Sequence, residues 1–306
     1  MANENPPHSA IVFSCDEAHA LLARGLVLSL ADAGFPNDKS AVVLIDIGCE
    51  PETLSWMKKR GVLIVPFDPA LIPRKIMSVI QPAQRAQVIR PWLPELLPRF
   101  QHFVWLDCDT WVQNGEFMAL MTAGANAAPD SVMLAPANSH YHARVYSELH
   151  EILGEQLTWY TSCYEPYVAN KAASSLSYSS GVFGMRRTSP VWALWRQEAG
   201  FLYPAMAARN ESHMHLAAQI ALNVVIVRNP LLIVRLDPLY NFDCSVTGAV
   251  RMPNGRVVTN LMLPPREIGV IRLADWVTMR RTYLETNLLY RSGDYLSPAE
   301  RALIAG

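Results

Sequence analysis

The sequence predicts an α/β fold with a central, mostly parallel sheet flanked by helices, and three observations predict it. Uninterrupted runs of Val, Ile and Leu, such as "AVVLIDI", alternate with segments of three- and four-residue apolar spacing. Such runs belong to strands covered on both faces, and each parallel connection then needs a right-handed crossover. Glycines close the helical segments, as Gly34 and Gly61 do. Of the 306 residues, 51% are hydrophobic, enough for one large core or two closely packed ones.

In "SAIVFSCDEAHALLARGLVLSLADAG" an apolar strand, Ala10 to Phe13, is followed by an Asp/Glu turn and a helix ending at Gly34. "AVVLIDI" is the second strand, "PETLSWMKKRG" a capped helix and "VLIVPFD" the third strand. This alternation makes the first half a nucleotide-binding type of α/β domain. "RPWLPELL", from Arg90 to Leu97, is a short proline-edged helix that delivers the chain into the strand "HFVWLDCD". Further on, "SVMLAPA" and "SSGVFGM" are strands, and "SPVWALWRQ" is a helix with Trp192 and Trp195 on one face, for the core. A helix over "HLAAQIALNVVI", a strand "LLIVRLD" and a hairpin "VRMPNGRVV" with Asn254-Gly255 in its turn complete the pattern.

Charge and composition exclude several functions. The 26 Lys and Arg against 27 Asp and Glu leave a net charge of −1, with no electrostatic footprint for nucleic acid. "MANENPPHSAIVF" lacks a signal-peptide pattern, and no long apolar stretch escapes interruption by a charge or proline. A cytoplasmic protein without a transmembrane segment is expected, with peripheral membrane contact left open. Cys15, Cys49, Cys108, Cys163 and Cys244 are odd in number and contain no CxxC pair, so reduced, mostly buried thiols are expected.

The chemistry centres on Asp107 and Asp109 in "FVWLDCDTWV". They fall at the C-terminal end of a strand in an open α/β sheet, where ligands bind. On a regular strand residues i and i+2 share a side, so the pair can converge on one Mn²⁺ or Mg²⁺, which would carry a diphosphate. The plainer alternative is a D-x-D that caps a turn. Neither GxGxxG nor GxxxxGK[ST] occurs, which argues against a dinucleotide-dependent dehydrogenase and a P-loop enzyme. No G-x-S-x-G elbow is present either. His140/His142 and His213/His215 form H-x-H pairs, but both precede helical patterns, where such a spacing diverges, and surface or capping roles outweigh a zinc hydrolase.

Taken in order, "IVFSCDEAHALLARGLVLSL", "IRPWLPELLPRFQHFVWLDCDTWV", "YSSGVFGM", "AAQIALN" and "LDPLYNF" resemble the retaining GT-A glycosyltransferases. The resemblance is to family 8, the group containing glycogenin and the bacterial lipopolysaccharide galactosyl- and glucosyltransferases. It runs from about residue 10 to residue 242, and only the D-x-D strand is diagnostic by itself. It implies a single catalytic domain over 1–306, with a nucleotide-binding half at about 8–115 and an acceptor and sugar half at about 116–306. It also implies a UDP-sugar donor, a saccharide or glycan acceptor, and Mn²⁺ or Mg²⁺ on Asp107 and Asp109. Phe13, Asp16 and His19 then fall at the nucleoside, and Arg90 and Asn138 near the donor. Ser180 and Gly181 match the small turn beneath the donor sugar, and Gln219 the glutamine close to the anomeric carbon. Other readings stay open: Asp16 as a helix N-cap, Arg90 as a surface arginine stacked on Trp92, Gln219 as a helix residue satisfied by backbone.

Two departures qualify the resemblance. Ala218 stands where the family has an acidic residue ahead of the glutamine, which leaves the sugar open. In "GVIRLADW", Arg272 stands at the position of the family's third metal ligand, a histidine. An arginine cannot ligate a metal but can fork onto a diphosphate, so weaker metal binding or partial replacement of the metal is expected. Asp275 is the candidate for a third oxygen ligand. The expected function is metal-assisted transfer of a hexose from a UDP-sugar to a hydroxyl acceptor, with retention. The alternatives are a non-catalytic sugar-nucleotide-binding protein and, behind it, a nucleotidyltransferase.

Overall fold

A computed structural model describes residues 8–113, 115–137, 149–243, 249–252, 257–259 and 265–272. The strands are β1 (Ser9–Cys15), β2 (Ser40–Asp46), β3 (Leu63–Pro66), β4 (His102–Leu106), β5 (Thr110–Val112) and β6 (Val132–Pro136). They continue with β7 (Tyr178–Arg186), β8 (Ile233–Arg235), β9 (Phe242–Asp243), β10 (Ala249–Arg251), β11 (Val257–Thr259) and β12 (Val270–Arg272). The longer helices are α1 (Ala20–Asp32), α2 (Pro51–Lys58), α3 (Glu116–Ala127), α4 (Leu149–Thr161), α5 (Pro166–Ala173), α6 (Val191–Ala208) and α7 (Ala217–Arg228).

Seven strands form the central sheet in the order β3-β2-β1-β4-β7-β6-β8. β1 lies between β2 and β4, parallel to both, and every residue of it is buried. Its side chains alternate between the two faces of the sheet. Ala10 and Val12 join the core that holds Trp105, Phe183, Trp192 and Trp195, while Ile11 and Phe13 join the one that holds Leu30, Leu106 and Phe117. This period of two is what a strand with helices on both faces requires. β3 takes the same kind of apolar run to the sheet edge, where Leu63 is 37% exposed.

The sheet is mixed at one place. β7 is antiparallel to both β4 and β6, so "SSGVFGM" forms the expected strand in the reverse direction. An apolar run buried on both faces looks the same in either direction, and only its neighbours decide which one it takes. On α6, Trp192 and Trp195 pack in the core as expected, stacked at 6.4 Å, with Phe183 edge-on to both. Such aromatic pairs contribute about 0.5–1.5 kcal/mol beyond the area they bury.

"RPWLPELL" forms two short turns, Arg90–Trp92 and Leu93–Leu96, rather than one helix, because proline at the second position of each restarts the helix. α3, α4 and α5 complete the layers without any motif to announce them. A second sheet, in the order β5-β12-β9, sits beyond β4, and β10 pairs with β11 as the expected hairpin, whose Asn254-Gly255 turn lies outside the described residues. No helix among the described residues is long and apolar enough to cross a membrane. Cys15, Cys49, Cys108 and Cys163 are free thiols; only Cys15 is fully buried.

Candidate active site

A cavity of about 310 Å³ opens at the carboxyl ends of β1 and β4. Ser14, Cys15, Asp16 and His19 line it from the β1 side, and Asp107, Cys108 and Asp109 from β4. Ala83, Ala86, Gln87 and Arg90 close a further wall, and Arg272 reaches in from β12. This is the position at which open α/β sheets hold their ligands.

The two carboxylates do not sit on a regular strand. β4 ends at Leu106, and a tight turn follows, in which the Thr110 N–H and Oγ1–H both donate to the Asp107 carbonyl, at 3.0 and 2.7 Å. Strand alternation therefore does not bring Asp107 and Asp109 together; the turn does. Asp107 is tied inward. Its Oδ1 accepts from Arg90 Nη2 at 2.6 Å and from Trp105 Nε1 at 2.7 Å, while its own N–H donates to the Gly181 carbonyl at 2.7 Å.

Arg90 is only 5% exposed and lies 5.1 Å over the Trp105 ring, so it is a buried link rather than a surface arginine on Trp92. Its Nη1 donates to Ser180 Oγ at 2.6 Å and to the Ser180 carbonyl at 3.2 Å. The Ser180 N–H in turn donates to Gln219 Oε1 at 3.2 Å. Asp107, Arg90, Ser180 and Gln219 thus form one chain of bonds from β4 through β7 to α7. Such networks hold each member in one geometry, because leaving any polar group unpaired in the interior is costly.

Asp109 is the opposite case. Its Oδ1 is buried without a hydrogen-bond partner among the described residues, and its Oδ2 is 3.9 Å from Arg272 Nε. Burial pushes its carboxyl up to about 6; Asp107 and Asp243 add to the rise, and Arg272 opposes it. For Arg272, burial works against the charge, yet Asp109, Asp107 and Asp243 hold the guanidinium above its usual value.

At the β1 end, Asp16 Oδ1 accepts from the His19 N–H at 3.1 Å and faces His19 Nδ1 at 2.6 Å. The capping reading is therefore realised, and the same two side chains still line the cavity. His213 faces Glu211 at 3.2 Å, and His215 is exposed. His140 and His142 lie outside the described residues.

By sequence, no protein-family model matches the chain and no curated protein does. In three dimensions it is similar to the galactosyltransferase LgtC in complex with donor and acceptor sugar analogs. The TM-score is 0.51 at 13% identity, covering 87% of this chain and 87% of that one. It is also similar to the bifunctional glycosyltransferase WbbM in its apo form, with a TM-score of 0.54 at 11% identity, covering 90% of this chain and 46% of that one. The fold is that of the GT-A glycosyltransferases.

Within this GT-A frame, Asp16, His19, Arg90, Asp107, Asp109 and Arg272 converge on the cavity. Ser180, Gly181 and Gln219 lie behind its wall and act on it through Arg90 and Asp107. Phe13 does not reach the cavity: on a strand whose every residue is buried, it points into the core. Asn138 and Asp275 lie outside the described residues. Trp105, Ser179 and Gln87 were not legible as site residues, because only the fold sets Trp105 Nε1 on Asp107, Ser179 Oγ near Arg272 and Gln87 on the cavity wall.

The donor set fits a divalent cation poorly. One oxygen of Asp107 is already taken by two donors, and a cationic side chain stands beside Asp109. Among the described residues no group of three or more His, Cys, Asp or Glu side chains is placed to hold a metal ion. Mn²⁺ and Mg²⁺ at such sites would otherwise draw on carboxylate oxygens together with phosphate.

Proposed function

We propose that this chain transfers a hexose from a UDP-sugar to a hydroxyl of a saccharide or glycan acceptor, with retention, in the manner of the family-8-like enzymes it resembles. The observation that carries the proposal is the meeting of two carboxylates and two arginines in one cavity at the carboxyl ends of β1 and β4. The nucleoside lies toward Asp16 and His19, and the diphosphate toward the arginines, whose fork geometry matches phosphate oxygens. The unpartnered Asp109 Oδ1 is an acceptor for a hydroxyl of the donor sugar.

In this reading the bond between the anomeric carbon and the diphosphate oxygen breaks with its electron pair on the phosphate. The acceptor oxygen attacks from the same face, and its proton passes to the departing phosphate oxygen. Fixed donors that meet the new negative charge lower the barrier because they need no reorganisation. Gln219 is a positioning residue here: by holding the Ser180 N–H it fixes the serine that holds Arg90. The test is incubation with a panel of nucleotide-sugars, with and without Mn²⁺, reading released nucleoside diphosphate. Release that disappears in Asp109→Asn supports the transferase. Tight binding of nucleotide-sugar without release, for every acceptor class offered, would leave a non-catalytic binding protein instead.

A further inference from the structure

Arg272 closes β12, which is hydrogen-bonded on both sides. Across one edge Arg272 faces Thr110 of β5, the residue after Asp109, and across the other it faces Asp243 of β9. Pairing on both edges fixes the point from which the side chain enters the cavity. There its guanidinium makes no short bond among the described residues. Nε is 3.9 Å from Asp109 Oδ2, beyond hydrogen-bond range, and has no hydrogen-bond partner among the described residues. Nη1 reaches Ser179 Oγ only at 3.5 Å.

The contrast with Arg90 in the same cavity is informative. Arg90 also leaves its Nε without a partner among the described residues, but both of its Nη atoms are engaged, in bonds of 2.6, 2.6 and 3.2 Å to Asp107 and Ser180. A guanidinium carries five N–H donors in a fixed fork and stays charged at any physiological pH. Arg272 therefore presents a permanent cation, with donors left over, beside the two carboxylates of the turn. Donors left open on a partly buried arginine point to an anionic ligand whose oxygens will use them.

We infer that Arg272 takes the place of a divalent cation at this site, binding the donor's diphosphate and carrying its charge as it departs, so that transfer needs no metal. The inference rests on the UDP-sugar reading above. Asp109 then serves to aim the guanidinium as well as to meet the sugar, and both duties need its carboxylate rather than a metal bound to it. As the glycosidic bond to the diphosphate breaks, the electron pair on the leaving oxygen is met by Arg272 N–H groups, while the acceptor's proton supplies the final neutralisation.

The experiment is calorimetric titration of UDP into the whole chain, first in EDTA and then in excess Mn²⁺, together with release of UDP from the donor found active in the panel. The expected result is a UDP affinity that changes by less than about threefold between the two conditions, with release persisting in EDTA. Arg272→Ala is expected to weaken UDP binding by about tenfold or more in EDTA, and Arg272→Lys to recover part of it, the ordinary range for a charge-assisted phosphate contact. Binding lost in EDTA and restored by Mn²⁺ would overturn this inference alone and return the carboxylates to a metal. Undiminished affinity in Arg272→Ala would overturn it too. No UDP binding in either condition would sink the UDP-sugar reading and this inference with it. The wild-type comparison decides the matter even where a variant fails to fold.

Discussion

The two aspartates of one turn live in different worlds. Asp107 is the terminus of a short-bonded network, in which Arg90 and Trp105 both donate to its carboxylate and Arg90 also donates to Ser180. Asp109, two residues on, has a buried oxygen without a partner among the described residues and looks across 3.9 Å at an arginine whose Nε has none either. Groups whose bonding is complete hold a fold in shape. Groups left incomplete in a cavity mark where a ligand will complete them. The difference separates the β4–β7–α7 scaffold from the β5–β12 rim, and it assigns stability to the first and binding to the second.

That division can be broken most sharply by removing the scaffold's cation. Arg90→Ala leaves the Asp107 carboxylate without its buried counter-charge, and a loss of about 3–5 kcal/mol in chemical denaturation is expected. Stability within 1 kcal/mol of wild type, on the scale of about 1 kcal/mol for an exposed pair, would show that the network is not structural. At the rim the expectation reverses. Asp109→Asn is predicted to cut donor turnover by about 10²–10³-fold while the denaturation midpoint stays level or rises, because burial disfavours the charge that the substitution removes. Unfolding of that variant under mild conditions would erase the distinction between the two aspartates.

Gly181 tests how closely the scaffold is packed. A Cβ there would meet Asp107 Oδ2 at 2.6 Å, so Gly181→Ala should shift Asp107 and lower stability by about 1–3 kcal/mol in thermal or urea unfolding. Gln219→Met should cost less, about 1–2 kcal/mol for the acceptor lost at the Ser180 N–H, and should lower kcat with little change in KM if Gln219 acts by positioning alone.

The smallest effect lies at the far end of β4. His102 Nε2 faces Asn126 Oδ1 at 3.1 Å, and burial lowers its affinity for a proton, an effect that Arg186 and His8 reinforce and Asn126 opposes. A folded value below the unfolded one means that this contribution is present above about pH 6.5 and fades as the pH falls below it. The expected signature is a difference between two profiles: between pH 7 and 5 the wild-type midpoint falls relative to that of His102→Asn, on top of the opposite contribution of Asp109, whose raised carboxyl favours the fold as the pH drops through about 6. An unchanged slope in that variant would locate the pH dependence elsewhere.

Much of this was legible before the structure. β1, β2 and α1 announce themselves by apolar runs and a closing glycine, since a strand buried on both faces admits almost nothing polar. α3, α4 and α5 announce themselves poorly, because each buries only part of its surface and carries no motif. At the site, the types of Asp107, Asp109, Arg90 and Arg272 could be read, whereas their bonding could not. Phe13 was expected at the nucleoside and lies in the core, because its place on the strand aims it at α1 rather than at the cavity.

Sequence alone determined the α/β class, the position of the two carboxylates at the end of a strand, and Arg272 as a candidate cation for the site. Those follow from local periodicity and from residue type. Only the tertiary structure decided the direction of β7, the inward bonding of Asp107 and the open donors of Arg272. Each of these depends on which side chain arrives from a strand or helix far away in sequence, as Ser180 reaches Arg90 across ninety positions. Local pattern carries no record of such meetings, because the interior imposes pairing only once the chain has closed around them.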